Sequence, residues 1–138
     1  MFLKTEQFEW NGTSITLYEL SALQRIEHLE YLKKTEGIDV GDIQTAMAVT
    51  IRTAAFIVAM SIWHEHKLKG SMPDNVAGEI LAIQNEVITD WPSDALAAAD
   101  YKIKLLSGMI IPAEESTELT ENKESSEPVT VEKPLPVS

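Results

Sequence analysis

The sequence predicts a mainly α (α+β) fold, in which an N-terminal β-hairpin at residues 2–18 is followed by a compact bundle of about four helices. Two patterns carry this prediction. Apolar and polar residues alternate on both sides of an N-terminal turn dipeptide, and from residue 19 onward the apolar residues recur at spacings of three and four. A third pattern, an acidic stretch rich in Glu, Ser and Pro, predicts that residues 112–138 are a disordered tail behind a single domain at residues 1–111.

The predicted hairpin turns at Asn11-Gly12, a dipeptide that favours the φ > 0 geometry of a two-residue turn. Phe8 and Trp10 share one face before the turn, and Ile15 and Leu17 share one face after it. Because an isolated two-stranded hairpin is only marginally stable in water, we expect this apolar face to pack against helices.

The first helix is predicted at about residues 19–35. Two capping boxes overlap at its start, Thr16-x-x-Glu19 and Ser21-x-x-Gln24, and Gly37 follows its end. Its apolar residues recur at every third position and are expected to form a core-facing stripe: Leu20, Leu23, Ile26, Leu29 and Leu32. His28 is expected at the outer surface with the charged residues of this helix.

Three more helices are predicted at about residues 43–66, 75–89 and 93–107. Asp42 is a suitable N-cap for the first of them, and Pro92 separates the last two because proline ends one helix and can occupy the first turn of the next.

The stretch from Ile43 to Trp63 is the centre of the predicted bundle, because fifteen of its 21 residues are apolar and only Arg52 is charged. On a helix these apolar residues fall on two faces. The first face is expected to pack in the core: Ile43, Met47, Ile51, Ala54, Val58 and Ile62. The second face is a candidate surface for a partner or for a second copy of the chain, with Arg52 at its border: Val49, Phe56, Met60 and Trp63.

A membrane-spanning helix is the alternative interpretation of this stretch, since about 20 apolar residues cross a bilayer. Arg52 would then lie near the bilayer centre at a cost of about 2.5 to 3.5 kcal/mol. Polar residues such as Gln44, Thr50 and Ser61 also interrupt the stretch. The sequence therefore favours a buried helix and no membrane association.

Composition and net charge indicate the kind of domain and the cellular compartment, and they disfavour one class of function. The chain has 138 residues, 44% of them hydrophobic, which is enough for one core. It has no cysteine and no apolar signal segment, so we expect a cytoplasmic protein without disulfides. The net charge of -11 repels phosphate backbones and disfavours nucleic-acid binding.

No motif for catalysis, a metal or a cofactor is recognisable. His64-Glu65-His66 places two imidazoles two residues apart, whereas helices that bind zinc use a spacing of four. The sequence therefore predicts no enzyme activity, no metal site and no cofactor.

Several motifs together resemble the minor tail protein G family of lambda-like phages over nearly all of residues 1–110. They are MFLKTE at residues 1–6, Asn11-Gly12, LSALQRIEHLEYL at residues 20–32, IRTAAFIVAMSIWHEH at residues 51–66, Met72-Pro73, Trp91-Pro92 and LSGM at residues 106–109. The resemblance implies a tail assembly chaperone that binds the tape measure protein in the host cytoplasm and is absent from the finished virion.

The resemblance also implies a longer G-T product made by a −1 ribosomal frameshift, whose T extension recruits the major tail tube protein. The Gly-Lys pair that marks the slip site in lambda has Glu132-Lys133 as its nearest counterpart here. The interpretation assigns the second face of the central helix to the client or to self-association. Two alternatives stay open: a structural minor tail component retained in the virion, and an acidic inhibitor that mimics nucleic acid.

Overall fold

The computed structural model describes residues 2–38 and 41–111. The chain divides into two units, Met1–Ser107 and the residues from Gly108 onward. All the helices and strands below belong to the first unit. The predicted disordered tail at residues 112–138 lies outside the described residues.

The fold class is confirmed, since an antiparallel hairpin is followed by four helices. The elements are β1 (Thr5–Trp10), β2 (Thr13–Tyr18), α1 (Ala22–Thr35), α2 (Ile43–Ile62) with a 3-10 turn at Trp63–Glu65, α3 (Val76–Asp90) and α4 (Ser93–Leu106). Each predicted helix boundary lies within a few residues of the observed one.

The hairpin has the predicted turn, with φ of 49° at Asn11 and 83° at Gly12. Its apolar face packs on the helices as expected, because Phe8 and Leu17 are buried. The hydroxyl of Ser61 in α2 accepts a hydrogen bond from the backbone N–H of Tyr18 (2.7 Å) and donates one to the Tyr18 carbonyl (2.8 Å). These two bonds tie the end of β2 to the centre of the bundle.

Side-chain caps set the helix starts. Ser21 and Gln24 form the predicted capping box of α1, and Asp42 accepts the backbone N–H of Thr45 at 2.7 Å at the start of α2. The other predicted capping box is wrong, because Thr16 lies within β2. Glu19 accepts the backbone N–H of Lys4 instead, at 2.6 Å, and so holds the two ends of the hairpin together.

Helix α2 is the centre of the fold and contacts α1, α3, α4 and β2. Its buried residues all lie in its second half: Ala55, Ile57, Val58, Ala59, Met60 and Ser61. The predicted core stripe is therefore wrong at its start, where Ile43 is 74% exposed and Met47 is 57% exposed. Side chains of other described elements form hydrogen bonds and ring contacts with α2 only from Arg52 onward, at Arg52, Phe56 and Met60. The difference in burial is therefore between the first and second halves of the helix rather than between two of its faces.

By length and composition alone, the helical stretch Ile43–Trp63 could cross a membrane. A third of its most apolar window (33%) is buried inside the protein. A core helix of a soluble protein passes the same test, so this property carries no membrane assignment.

Candidate functional site

Helix α1 packs on the bundle with its polar side inward. Gln24 and His28 are buried, at 4% and 6% exposure, and they lie four residues apart on one side of the helix. The prediction that the leucine stripe faces the core holds for Leu20, which is 4% exposed, and is wrong for its other four residues. The prediction that His28 lies at the surface is wrong. Four residues of that stripe point to solvent and are here called the outer α1 face: Leu23 (63% exposed), Ile26 (53%), Leu29 (64%) and Leu32 (36%).

On the buried side of α1, Gln24 and Tyr31 each have a partner in the bundle. The amide nitrogen of Gln24 donates to the carbonyl of Met60 at 2.8 Å, and its Oε1 lies 3.0 Å from Nε2 of His64. Two turns further along, the ring of Tyr31 stacks on that of Phe56, with the ring centroids 4.5 Å apart. These matched contacts compensate for burying polar atoms and leave the leucines outside.

Burial favours the neutral form of the two histidines at this interface by lowering the pKa of each. Desolvation lowers the pKa of His28, and the positive charge of Lys104 lowers it further. Desolvation also lowers the pKa of His64, whose ring lies 5.0 Å from that of Tyr18. A neutral imidazole suits the contact with Gln24, since one ring nitrogen can donate to the amide oxygen.

The outer α1 face exposes four bulky aliphatic side chains on one helix. Residues three apart on a helix are rotated by about −60° from one another, so the four side chains cover a broad sector of α1. At the start of α2, Ile43 and Met47 are exposed as well. Contiguous apolar patches of more than a few hundred Å² mark interaction sites more often than plain solvent-facing surface.

The structure places the five residues of the predicted second face in different surroundings. Arg52 is exposed, and Val49, Phe56 and Trp63 are half-buried. Met60 is 0% exposed and packs in the core. Among the described residues Arg52 forms no salt bridge, and its carbonyl accepts a hydrogen bond from Gln84 at 2.9 Å. The five residues therefore do not form one exposed surface.

The side chain of Phe56 is partly exposed to solvent in a pocket of about 230 Å³ beside the outer α1 face. The pocket is lined by Glu27, Glu30, Tyr31, Lys34, Phe56, Ala77 and Ile80. Burial raises the pKa of Glu27, and the neighbouring charge of Glu30 adds to the effect. The pocket thus combines an aromatic floor with charged walls.

Trp63 is engaged in the loop between α2 and α3. Its indole nitrogen donates to the carboxylate of Glu79 at 2.8 Å, and the second carboxylate oxygen accepts the backbone N–H of Met72, also at 2.8 Å. The pKa of Glu79 is lowered by the Trp63 hydrogen bond first, and then by the backbone N–H groups of Met72 and Gly70 and the charge of Lys69. Glu79 is 1% exposed, so it acts as a buried anchor for this loop.

The two histidines that follow α2 do not converge on a common site. His64 faces Gln24, whereas Nε2 of His66 lies 2.7 Å from the carboxylate of Glu86 on α3. Within residues 2–38 and 41–111, no group of three or more His, Asp or Glu side chains is arranged to hold a metal ion.

The chain is similar to known proteins along its whole length. The sequence profile described as "Bacteriophage lambda tail assembly chaperone, TAC, protein G" matches residues 1–127. The tail assembly protein G of Escherichia phage N15 is 56% identical over 140 residues, and that of Escherichia phage lambda is 44% identical over 141 residues, each covering 100% of both chains.

A longer relative also matches. The tail assembly protein GT of Escherichia phage N15 is 54% identical over 137 residues, and the match covers 98% of this chain but only 55% of the relative. Comparison with the solved structures finds no match.

Proposed function

Because the chain belongs to the bacteriophage lambda tail assembly chaperone family, protein G, we propose that it binds the tape measure protein and keeps it soluble while the tail is built. The family membership makes this chain a tail assembly chaperone. The client and the surface that binds it are the proposal. The observation that supports it best is the outer α1 face, because a chaperone that holds its client needs an apolar surface that its own fold leaves uncovered.

The proposed client surface is centred on α1, and the predicted second face of α2 contributes at its edge. Phe56 lies next to it through the 230 Å³ pocket, and Arg52 is an exposed charge on the same helix as Phe56. Val49 and Trp63 are half-buried and therefore offer a client less accessible surface. Met60 is buried in the core and offers none. Ile43 and Met47 are two further exposed apolar side chains, at the start of α2.

A helical client would suit this surface. A tape measure protein is long and largely helical, and an amphipathic helix can lay its apolar side against the leucines of α1. Full burial of an aliphatic side chain is worth about 1.5 to 3 kcal/mol, so even partial burial of four such residues gives useful affinity. The net charge of -11 helps to keep copies of the complex apart in solution.

We also propose that this chain is made in a longer G-T form by ribosomal frameshifting and that the extension recruits the major tail tube protein. Support comes from the GT relatives, of which the matched region covers 55% in phage N15 and 48% in phage lambda. In this proposal both forms act in the host cytoplasm, associate into multi-copy complexes on one client chain, and are absent from the finished virion.

Co-expression with the tape measure protein from the same phage tests the client assignment. We expect the tape measure protein to be insoluble alone and to co-purify in the soluble fraction with this chain. A tape measure protein that stays insoluble, or that is soluble without binding this chain, would contradict the proposal.

Mass spectrometry of purified virions tests the proposed absence from the particle. A chaperone is missing from the particle, whereas a structural minor tail component is present in fixed copy number. Detection in stoichiometric amount would favour the structural role.

A further inference from the structure

A second apolar site lies away from α1, between the turn of the hairpin and the junction of α3 and α4. It is a groove of about 310 Å³ with mostly apolar walls. The residues that define its chemistry are Phe8, Trp10, Ile15, Asp90, Trp91 and Pro92. Neither the proposed client surface nor the hairpin fold accounts for it.

Three aromatic rings are arranged in series in this groove. The ring of Phe8 lies 6.2 Å from that of Trp10 and 6.2 Å from that of Trp91, with interplanar angles of 14° and 4°. Phe8 is buried and forms the floor, whereas the two tryptophans are half-buried. Grooves lined by aromatic side chains recognise proline-rich segments in the polyproline II conformation.

Two residues that line the groove have indole N–H groups that could serve as hydrogen-bond donors to a ligand. Within the described part of the chain, neither Trp10 nor Trp91 donates its indole N–H to an acceptor, whereas Trp63 donates to Glu79. Polyproline II segments have fully solvated carbonyls and no internal hydrogen bonds, so they can accept from such donors. A helical ligand has its carbonyls already bonded and would leave both indoles without a partner.

One negative charge lies at the rim. Asp90 is exposed, lines the groove and forms no ion pair with another described residue. It is the last residue of α3, where the negative end of the helix dipole adds to its potential. The groove therefore favours a ligand that carries a positive charge beside its apolar part.

We propose that this groove binds an extended, proline-rich segment of a partner protein that carries a lysine next to its prolines. The prolines pack against Trp10 and Trp91, the indole N–H groups donate to backbone carbonyls of the segment, and the lysine pairs with Asp90. This site does not depend on the proposed client surface.

The direct test is an NMR titration of the ¹⁵N-labelled full chain with the peptide acetyl-Ala-Lys-Pro-Leu-Pro-Pro-Ala-amide. The chain carries Pro134→Ala and Pro136→Ala, because its own residues 133–136 have the same Lys-Pro-Leu-Pro sequence and would compete with the peptide. The chain has three tryptophans and thus three indole resonances, which Trp→Phe variants assign. We expect the resonances of Trp10 and Trp91 to move with a common binding curve and that of Trp63 to stay in place. A control peptide with alanine at each proline position should not move any of them.

Matched variants test the charge. Asp90→Asn should weaken peptide binding about two- to fivefold, the effect of losing one exposed ion pair, and replacing the peptide lysine with glutamate should weaken it as well. Asp94→Asn, an exposed residue in the first turn of α4 that does not line the groove, should leave binding unchanged. No indole shift at millimolar peptide, equal binding of the alanine peptide, or equal movement of Trp63 would overturn the proposal.

Discussion

Tyr31 of α1 stacks on Phe56 of α2, with ring centroids 4.5 Å apart and ring planes 14° from parallel. This contact fixes the rotation of α1 about its own axis, because Tyr31 follows Gln24 and His28 on the same side of the helix. The outer α1 face is exposed as a result. Phe56, which the sequence suggested as a client contact, thus also determines where the leucines point.

The stack predicts energetic coupling between the two rings. In a double-mutant cycle, Tyr31→Ala and Phe56→Ala should show a coupling free energy of about 0.5 to 1.5 kcal/mol in urea unfolding. A control cycle combines Tyr31→Ala with Leu81→Ala, an exposed position on α3. The two substitutions of this control should have additive effects on the free energy of unfolding. Additive effects of Tyr31→Ala and Phe56→Ala would mean that the stack does not hold α1 in place.

Met60 and Leu29 should respond in opposite ways to truncation. Met60 is 0% exposed, so Met60→Ala should lower the free energy of unfolding by about 2 to 5 kcal/mol through lost contacts and a cavity. Leu29 is 64% exposed, so Leu29→Ala should change it by about 0.5 kcal/mol or less. Chemical unfolding followed by circular dichroism measures both, and a large loss at Leu29 would show that α1 packs with its leucines inward.

Glu79 should make stability depend on pH in the acid range. Its pKa is lowered in the folded chain from an ordinary value of 4.5, so its contribution is complete above pH 4.5 and is lost as the pH falls through the folded pKa. Glu79→Gln should lower stability at pH 7 and flatten the decrease below pH 4.5. Asp74→Asn, an exposed change in the same loop, is the control. If the stability of Glu79→Gln decreased below pH 4.5 as steeply as that of the wild type, Glu79 would not be the source of this pH dependence.

His28 should contribute to pH dependence nearer neutrality. Its pKa is lowered from 6.5 by burial and by the charges of Lys104 and Arg25, with Asp100 acting in the opposite direction. The neutral form therefore stabilises the fold fully above pH 6.5, and this contribution decreases as the pH falls toward the folded pKa. His28→Gln should reduce the loss of stability between pH 7 and acid pH. An NMR titration of the His28 ring with a midpoint at or above 6.5 would contradict this account.

Local signals in the sequence were sufficient to predict where the hairpin turns and where the helices begin and end, to within a few residues. Asn11-Gly12 has the positive φ angles that its turn requires, and Ser21 and Asp42 cap their helices through atoms two or three residues away. Such interactions do not depend on the rest of the fold, so they can be read from a single sequence. The fold class followed from them and from the hydrophobic periodicity.

The orientation of α1 could not be predicted in the same way. Periodicity identifies the leucines as one face but does not say whether that face packs inside this chain or binds another protein. The decisive partners of Gln24 and Tyr31 lie on α2, at Met60 and Phe56, and no local pattern reveals those pairings. The same limit applies to α2, because its periodicity does not show that Ile43 and Met47 at its start are exposed.

Co-purification of the tape measure protein with α1 variants tests the central claim most directly. In Ile26→Gln/Leu29→Gln, both residues are exposed and glutamine has high helix propensity, so the fold should persist while the recovered tape measure protein falls at least tenfold. Tyr101→Gln, which changes a side chain of α4 that is 42% exposed, should recover it at the wild-type level. Undiminished recovery with a stably folded Ile26→Gln/Leu29→Gln variant would show that the outer α1 face does not bind the client.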